Sequence, residues 1–363
     1  MSFYGLAATL RDAVALAEAR GPGCKVGFGA AQAGFVEVLA PEGADLTLAD
    51  VRAGAALGRS RYFFTFGNHA AAFNLASIGP IIDQLAANTG VGFMAACLAN
   101  PTMGRTMYQG QLFEAGHLRG DMVRAFGAAL EGNVGLVTHE IVAAGAAAIR
   151  RQCSGLKEQG KSLVLIDAIN EDDCSAIFNA VGNYALIGGA AWLSEQAHAA
   201  APSQPAGPIA ILSGALDRQT IFQIGAARCV LPVFDLEVRA PRAAEVALEW
   251  TADKIGKTAF IISSSVPPDK IAEGAPVAEM FGDIARGLVA NGVQRMVIAG
   301  SETAQAVLLA LGITRLQSGA NLGPLVWLEN ETLSICVKPG GIGAKGIFLT
   351  EFEPQICRNG ASE

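Results

Sequence analysis

From residue 209 onward the chain alternates two patterns, and that alternation limits what it can fold into. Short apolar runs, Ile209 to Ser213, Cys229 to Leu236, Ala259 to Ser263 and Arg295 to Ala299, read as buried strands. Between them, Ala243 to Asp253, Val277 to Ala290 and Glu302 to Leu311 place apolar residues three and four apart and read as helices. Strands that alternate with helices of this length predict parallel βαβ units. The first half repeats the theme less cleanly. Phe93 to Leu98 and Leu163 to Ala168 read as strands, Ile141 to Lys157 as one long helix and Leu6 to Arg20 as another. The expected fold class is therefore α/β, in two domains that each carry a mostly parallel sheet flanked by helices.

The seam between the halves is Ala199 to Pro208, where three prolines and small residues interrupt both periodicities. The expected domains span residues 1–200 and 209–363. A length of 363 residues suits two domains, and 51% hydrophobic against 16% charged residues can build two cores. The net charge of −7, with no cluster of four or more Lys and Arg, removes the footprint of a nucleic-acid binder. Every apolar stretch is interrupted before the roughly 18 residues that span a bilayer, so no membrane partner is expected. Seven cysteines, none in a C-x-x-C pair, and an N-terminus without the order of a signal peptide fit a reduced cytoplasm.

Several apolar runs stop at Gly or Ser just where a helix pattern starts: Ser213-Gly214, Ser263 to Ser265, Gly300 to Thr303 and Lys338 to Gly343. Open parallel sheets bind ligands at the carboxyl ends of their strands, where helix N-termini offer N–H groups to phosphate oxygens. Helix caps and turns would use the same residue types at Ser263, Ser301 and Thr303. Gly341 to Gly346 matches G-x-G-x-x-G by letter. Only 17 residues follow it and Ile347 to Leu349 reads as a strand, so a glycine hairpin is expected there rather than a dinucleotide fingerprint. The four histidines, 69, 117, 139 and 198, are isolated in sequence and read as surface or helix-end residues, and no G-x-S-x-G or metal-ligand spacing occurs. Asn100 to Gly110 reads as a polar loop, with Arg105 placed like a clamp for a carboxylate or phosphate or simply solvated.

Taken together, Gly104-Arg-Thr-Met-Tyr-Gln-Gly110, Val134 to Val137, Ile166-Asp-Ala168, Ser213-Gly214 with Thr220 and Gln223, Ala299 to Ala304 and Val337 to Gly343 resemble the four-carbon acid sugar kinase family. The resemblance runs from about residue 60 to about residue 350 and lies in the order of the motifs. It implies a substrate-binding N-terminal domain, a nucleotide-binding C-terminal domain, and phosphorylation of a small sugar acid by ATP with Mg2+. It implies nucleotide contacts at Ser213, Gly300, Ser301, Glu302, Thr303, Gly340 and Gly343, with room for a homodimer. Substrate contacts would fall on Arg105, Tyr108 and Asn68, with His69 and Asn74 as further polar residues of the altered loop.

The departures bear on catalysis. The family's N-terminal Ala-Asp-Asp is absent, and the one Asp-Asp pair, Asp172-Asp173, reads as a solvated helix start. The segment Phe64 to Gly79 carries apolar residues where the family has Lys and Asp. The catalytic residues are thus left open, with Asp12, Asp45, Asp50 and Asp83 as carboxylates that could serve. Two readings remain: a kinase with a remodelled acceptor pocket, or a degenerate member that binds nucleotide or metabolite without turnover.

Overall fold

The computed structural model describes residues 3–7, 10–28, 38–40, 61–66, 75–101, 104–130, 133–190, 205–215, 217–264, 277–322, 325–338 and 343–350. The chain divides into two compact units, Met1–His198 and Ala199–Glu363. Both are α/β with mainly parallel sheets.

In the first unit eight strands pair in parallel: β1 (Phe3–Leu6), β2 (Lys25–Phe28), β3 (Val38–Ala40), β4 (Arg61–Thr65), β5 (Met94–Cys97), β9 (Val134–Val137), β10 (Leu163–Ile166) and β11 (Leu186–Gly189). Their order across the sheet is β2-β3-β1-β4-β11-β5-β10-β9. Strands such as Met94–Cys97 and Leu163–Ile166 are buried at every position, as a sheet covered on both faces requires. Each fully buried Val, Leu or Ile side chain contributes about 1.5–3 kcal/mol. Around the sheet run α1 (Leu10–Arg20), α2 (Leu75–Thr89), α3 (Met122–Ala129), α4 (His139–Ala143), α5 (Ala146–Glu158) and α6 (Glu171–Val181).

A separate antiparallel sheet joins β6 (Arg105–Tyr108), β7 (Gln111–Glu114) and β8 (His117–Asp121). The expected loop at 100–110 is therefore mostly a β-hairpin. Its two turns, Gln109-Gly110 and Ala115-Gly116, have positive φ at both residues, the conformation that matches the twist of paired strands.

In the second unit the sheet runs β13-β14-β12-β15-β18-β17-β16. Its strands are β12 (Ile209–Ser213), β13 (Val233–Asp235), β14 (Phe260–Ser263), β15 (Arg295–Ala299), β16 (Arg315–Leu322), β17 (Leu325–Glu329) and β18 (Ser334–Lys338). The pairs from β13 to β18 are parallel, and β17 and β16 turn antiparallel at the edge. The helices are α7 (Arg218–Ala227), α8 (Ala243–Thr251), α9 (Val277–Ala290), α10 (Ser301–Ala310) and α11 (Ile347–Thr350). One face of the sheet buries Ile209, Ile211, Ile261 and Val297 with Ile224, Trp327 and Phe348.

Four expected elements differ. The helix expected over Leu6 to Arg20 begins only at Leu10, because Phe3–Leu6 pairs as a central strand. The helix expected over Ile141 to Lys157 is two helices, α4 and α5, parted at Gly145 with φ +89°. The strand expected over Cys229 to Leu236 shrinks to Val233–Asp235, since the chain first finishes α7 with backbone bonds from Val230 and Leu231 to Ala227. Ile347 to Leu349 is helical instead of a strand, and follows a turn rather than closing a hairpin.

Nothing lies within 4 Å of a Cβ built on Gly145, so substitution there meets only the backbone penalty. Gly145→Ala is expected to lower stability by about 1–3 kcal/mol in urea unfolding, the cost of holding a side-chain residue in an extended positive-φ conformation that essentially only glycine adopts. No loss would show that α4 and α5 are not divided in this way.

Candidate functional site

In the second unit, β12 connects through α7 toward β13 and β14 on one side, whereas β15 and β18 lie on its other side. The order therefore reverses between β12 and β15. In open α/β sheets a crevice opens at such a point, outside the carboxyl ends of the strands. Here those ends carry Ser213-Gly214 and Gly300-Ser301.

The two turns fit into each other. A Cβ on Gly214 would run into Thr303 Oγ1, and one on Gly300, at φ +109°, would lie 3.2 Å from Thr303 Oγ1 and 3.3 Å from Ala215 N. Gly214 N donates to Ala299 O over 3.2 Å and Gly300 N to Lys338 O over 3.0 Å. Gly300 caps α10 without a side-chain bond, so the first N–H groups of that helix have no partner within it. Ser213 and Thr303 are buried beside them and Glu302 is exposed, while Ser301 is half-buried. The buried Ser264 Oγ makes no hydrogen bond among the described residues, and its backbone N–H holds Ser213 O at 2.9 Å.

A third turn, at Gly343 with φ +88°, is fixed by amides from α7. Gln223 Nε2 donates to Gly343 O (2.9 Å) and Ala344 O (3.0 Å), and Gln219 Nε2 donates to Gly343 O (3.2 Å). The fully buried Lys338 Nζ donates to Thr220 Oγ1 at 2.8 Å, and that hydroxyl donates to Asp217 Oδ2 at 2.7 Å. Asp217 also caps α7 by accepting Thr220 N. A charge-assisted chain thus ties the end of β18 to the turn after β12. Gly340 lies outside the described residues. Of the expected nucleotide contacts, Ser213, Gly300, Ser301, Glu302 and Thr303 lie together at the carboxyl ends of β12 and β15.

In the first unit the organising group is Asp167, wholly buried just past β10. Its carboxylate accepts Gln109 N (2.6 Å), Gly110 N (2.9 Å) and His139 N (3.1 Å). Burial pushes this carboxyl above its usual range, and the three N–H donors and the neighbouring His139 only partly offset that. Asp167 thereby clamps the β6–β7 turn and the start of α4 to the sheet. Tyr108, 44% exposed, then lies beside His139 with ring centroids 5.9 Å apart. On the far side His139 Nε2 is 3.2 Å from Asp173 Oδ2.

Several residues stand differently from their sequence reading. Arg105 is not in an open loop: it is 4% exposed on β6 and bonds Glu114 Oε1 at 3.1 Å, while Arg119 meets the other carboxylate oxygen at 3.0 Å. Burial raises the Glu114 carboxyl, but the bonds and charges of Arg105 and Arg119 outweigh it and hold the group below its usual range. Arg105 is thus a strut of the small sheet. Asp173 is not a solvated helix start either. It is 7% exposed and forms a capping box with Asn170, accepting Ile169 N and Asn170 N. Asp12 is buried on α1 and Asp83 is exposed on α2. Asn68, His69, Asn74, Asp45 and Asp50 lie outside the described residues. Burial pushes the Cys174 thiol up to about 12, so it holds its proton at neutral pH. Sequence reasoning missed Asp167, Asp217 and Lys338 as organisers; only their position at strand and helix ends marked them.

Two family models match the chain: a sugar-binding N-terminal domain over residues 116–196 and a nucleotide-binding C-terminal domain over residues 210–348. The chain belongs to the four-carbon acid sugar kinase family. A 3-oxo-tetronate kinase of Burkholderia multivorans is 28% identical over 339 residues, 81% of this chain and 79% of that one. One of Methylobacterium radiotolerans is 28% identical over 321 residues, 75% of this chain and 76% of that one. A crystal structure of a Salmonella typhimurium LT2 protein shares the fold, with a TM-score of 0.83 at 22% identity over 96% of this chain and 98% of that one. A Haemophilus influenzae structure gives 0.78 at 22% identity over 95% and 98%. Among the described residues no helix is long and apolar enough to cross a membrane.

Asp167→Asn places an NH2 against backbone N–H donors and is expected to cost about 1–3 kcal/mol. Because the folded carboxyl titrates above its usual 3.8, its contribution to stability is full below that value and is lost as pH rises through the higher one. The variant lacks this loss, so its deficit in urea unfolding should be larger near pH 4 than at pH 7. A deficit that grows toward pH 7 would contradict the burial of this charge.

Proposed function

We propose that the chain transfers the γ-phosphoryl group of ATP to a hydroxyl of a small four-carbon sugar acid. The nucleotide would rest on the second unit, in the crevice between β12 and β15. The observation that carries this reading is the pair of interlocked turns at Gly214 and Gly300. There Gly214 packs against Thr303 Oγ1 more closely than a Cβ allows, and Gly300 leaves only 3.3 Å between a Cβ and Ala215 N, beside a helix start whose first N–H groups have no partner within the helix. Such a surface suits phosphate oxygens, which accept backbone hydrogen bonds and are favoured by the helix dipole. The kinase relatives and the nucleotide-binding domain match support ATP as the ligand.

In this proposal Ser213, Ser301 and Thr303 supply hydroxyls and Gly300 the close backbone, while Gly343 borders the site from the turn after β18. Glu302, exposed at the first turn of α10, is the contact available to a ribose hydroxyl or a hydrated cation. Magnesium enters as the companion of ATP, neutralising its phosphates. The acceptor would bind on the first unit near Tyr108, with Arg105 acting through the small sheet. The cytoplasm as location and a homodimer as assembly belong to the same proposal.

A second reading, binding without turnover, is favoured by one observation: Arg105 is spent on Glu114 and so is not free to clamp an acidic acceptor. ADP release with Mg-ATP across a panel of four-carbon hydroxy and oxo acids separates the two. Acid-dependent release supports the kinase, and a bound nucleotide with no release supports the second reading.

Gly300→Val and Gly343→Val test the placement of the nucleotide. Each should weaken ATP binding at least tenfold, about 1.4 kcal/mol, by calorimetry on variants with wild-type circular dichroism. Unchanged affinity in both would remove the nucleotide from these turns.

A further inference from the structure

We propose that His139 takes the proton of the acceptor hydroxyl, with Asp173 as its partner; this rests on the kinase reading above.

The geometry is that of a carboxylate-backed imidazole. Asp173 is held rigid by accepting Ile169 N at 2.9 Å and Asn170 N at 3.3 Å, and lies 3.2 Å from His139 Nε2. The Nε2 atom is buried, and its approach to the Asp173 oxygen falls short of hydrogen-bond geometry. The side chain as a whole is 22% exposed, and its other ring nitrogen has no hydrogen-bond partner among the described residues. One nitrogen therefore faces a fixed negative charge while the other is left for a ligand. The backbone of His139 is pinned separately, through its N–H to Asp167. Tyr108 flanks the ring and, 44% exposed, marks the open side.

The groups that meet His139 are Asp173 from α6, Asp167 from the end of β10 and Tyr108 from β6, with Glu140 next in the chain. No Lys or Arg among the described residues pairs with Asp167 or Asp173. A proton accepted by this ring would thus sit among carboxylates, the placement a general base needs. The ring also stands at the carboxyl ends of β9 and β10, where a parallel sheet places its ligand.

The step balances without a further reactant. The acceptor O–H bond breaks and its proton passes to the free ring nitrogen of His139. The acceptor oxygen bonds the γ-phosphorus, the bond to the β-phosphate oxygen breaks, and that electron pair leaves with ADP. The proton then returns to water. Asp173 touches no substrate and is a positioning residue.

Two readouts test this. In ADP-release assays with the four-carbon acid panel, His139→Gln should lower kcat about 10²–10³-fold with KM for ATP unchanged. It should also abolish the fall in rate toward acid pH that a required neutral imidazole imposes. Added imidazole should restore part of the rate to His139→Gly, which a structural role would not allow. Wild-type kcat and pH profile in His139→Gln, or loss with neither a changed profile nor rescue, overturns the proposal. Independently, the His139 ring resonance, assigned by its absence in His139→Gln, should shift saturably when the acid alone is added. A fixed resonance with an acid that is turned over removes His139 from the acceptor while the kinase reading stands. A shifted resonance without ADP release overturns the phosphoryl-transfer reading and the proton role with it.

Discussion

The backbone of Gly214 against the side chain of Thr303 is the contact on which the nucleotide side of the molecule depends. It brings the end of β12 and the start of α10 closer than any side chain would permit. The meeting lies where the order of the parallel strands reverses, between β12 and β15, which is where such a sheet opens a crevice. Lys338 then matters for a reason other than its charge in solution. Fully buried and bonded to Thr220, it joins the third strand end to the first, and its backbone carbonyl receives Gly300 N. Three turns far apart in sequence are thereby held as one surface.

The first unit solves a different problem with one carboxylate. Among the described residues Asp167 pairs with no Lys or Arg and is held by backbone N–H groups from two segments, so its burial costs free energy that only the closed arrangement offsets. What this secures is position: Tyr108 and His139, separated by 31 residues in the chain, become neighbours. Arg105, which a motif alone makes an anion clamp, is instead neutralised by Glu114. An arginine in a motif and an arginine free to bind a ligand are different things.

The C-terminal βαβ pattern was legible because its strands are buried on both faces and its helices are amphipathic; Ile209–Ser213 and Arg295–Ala299 match their apolar runs residue for residue. The small sheet was not, and the reason is its turns. Gln109-Gly110 and Ala115-Gly116 adopt a conformation usually announced by Asn-Gly or Asp-Gly, so the hairpins carry no such signal. Gly145 divides two helices without disturbing the apolar spacing that suggested one. Ile347 to Leu349 is too short for periodicity to tell strand from helix, and the turn before it is held by the amides of Gln219 and Gln223 from 120 or more residues away. Asp167 and Lys338 were visible as residues within motifs. Their roles depend on burial, which no single motif reveals.

The central claim is that the nucleotide rests on the three joined turns of the second unit. Amide hydrogen exchange with and without Mg-ATP tests it most directly. The account predicts slowed exchange in peptides carrying 213–215, 300–304 and 343–346, with β6 to β8 unaffected by the nucleotide alone. Protection confined to the first unit, or absent from those three turns while ATP is bound, would contradict it.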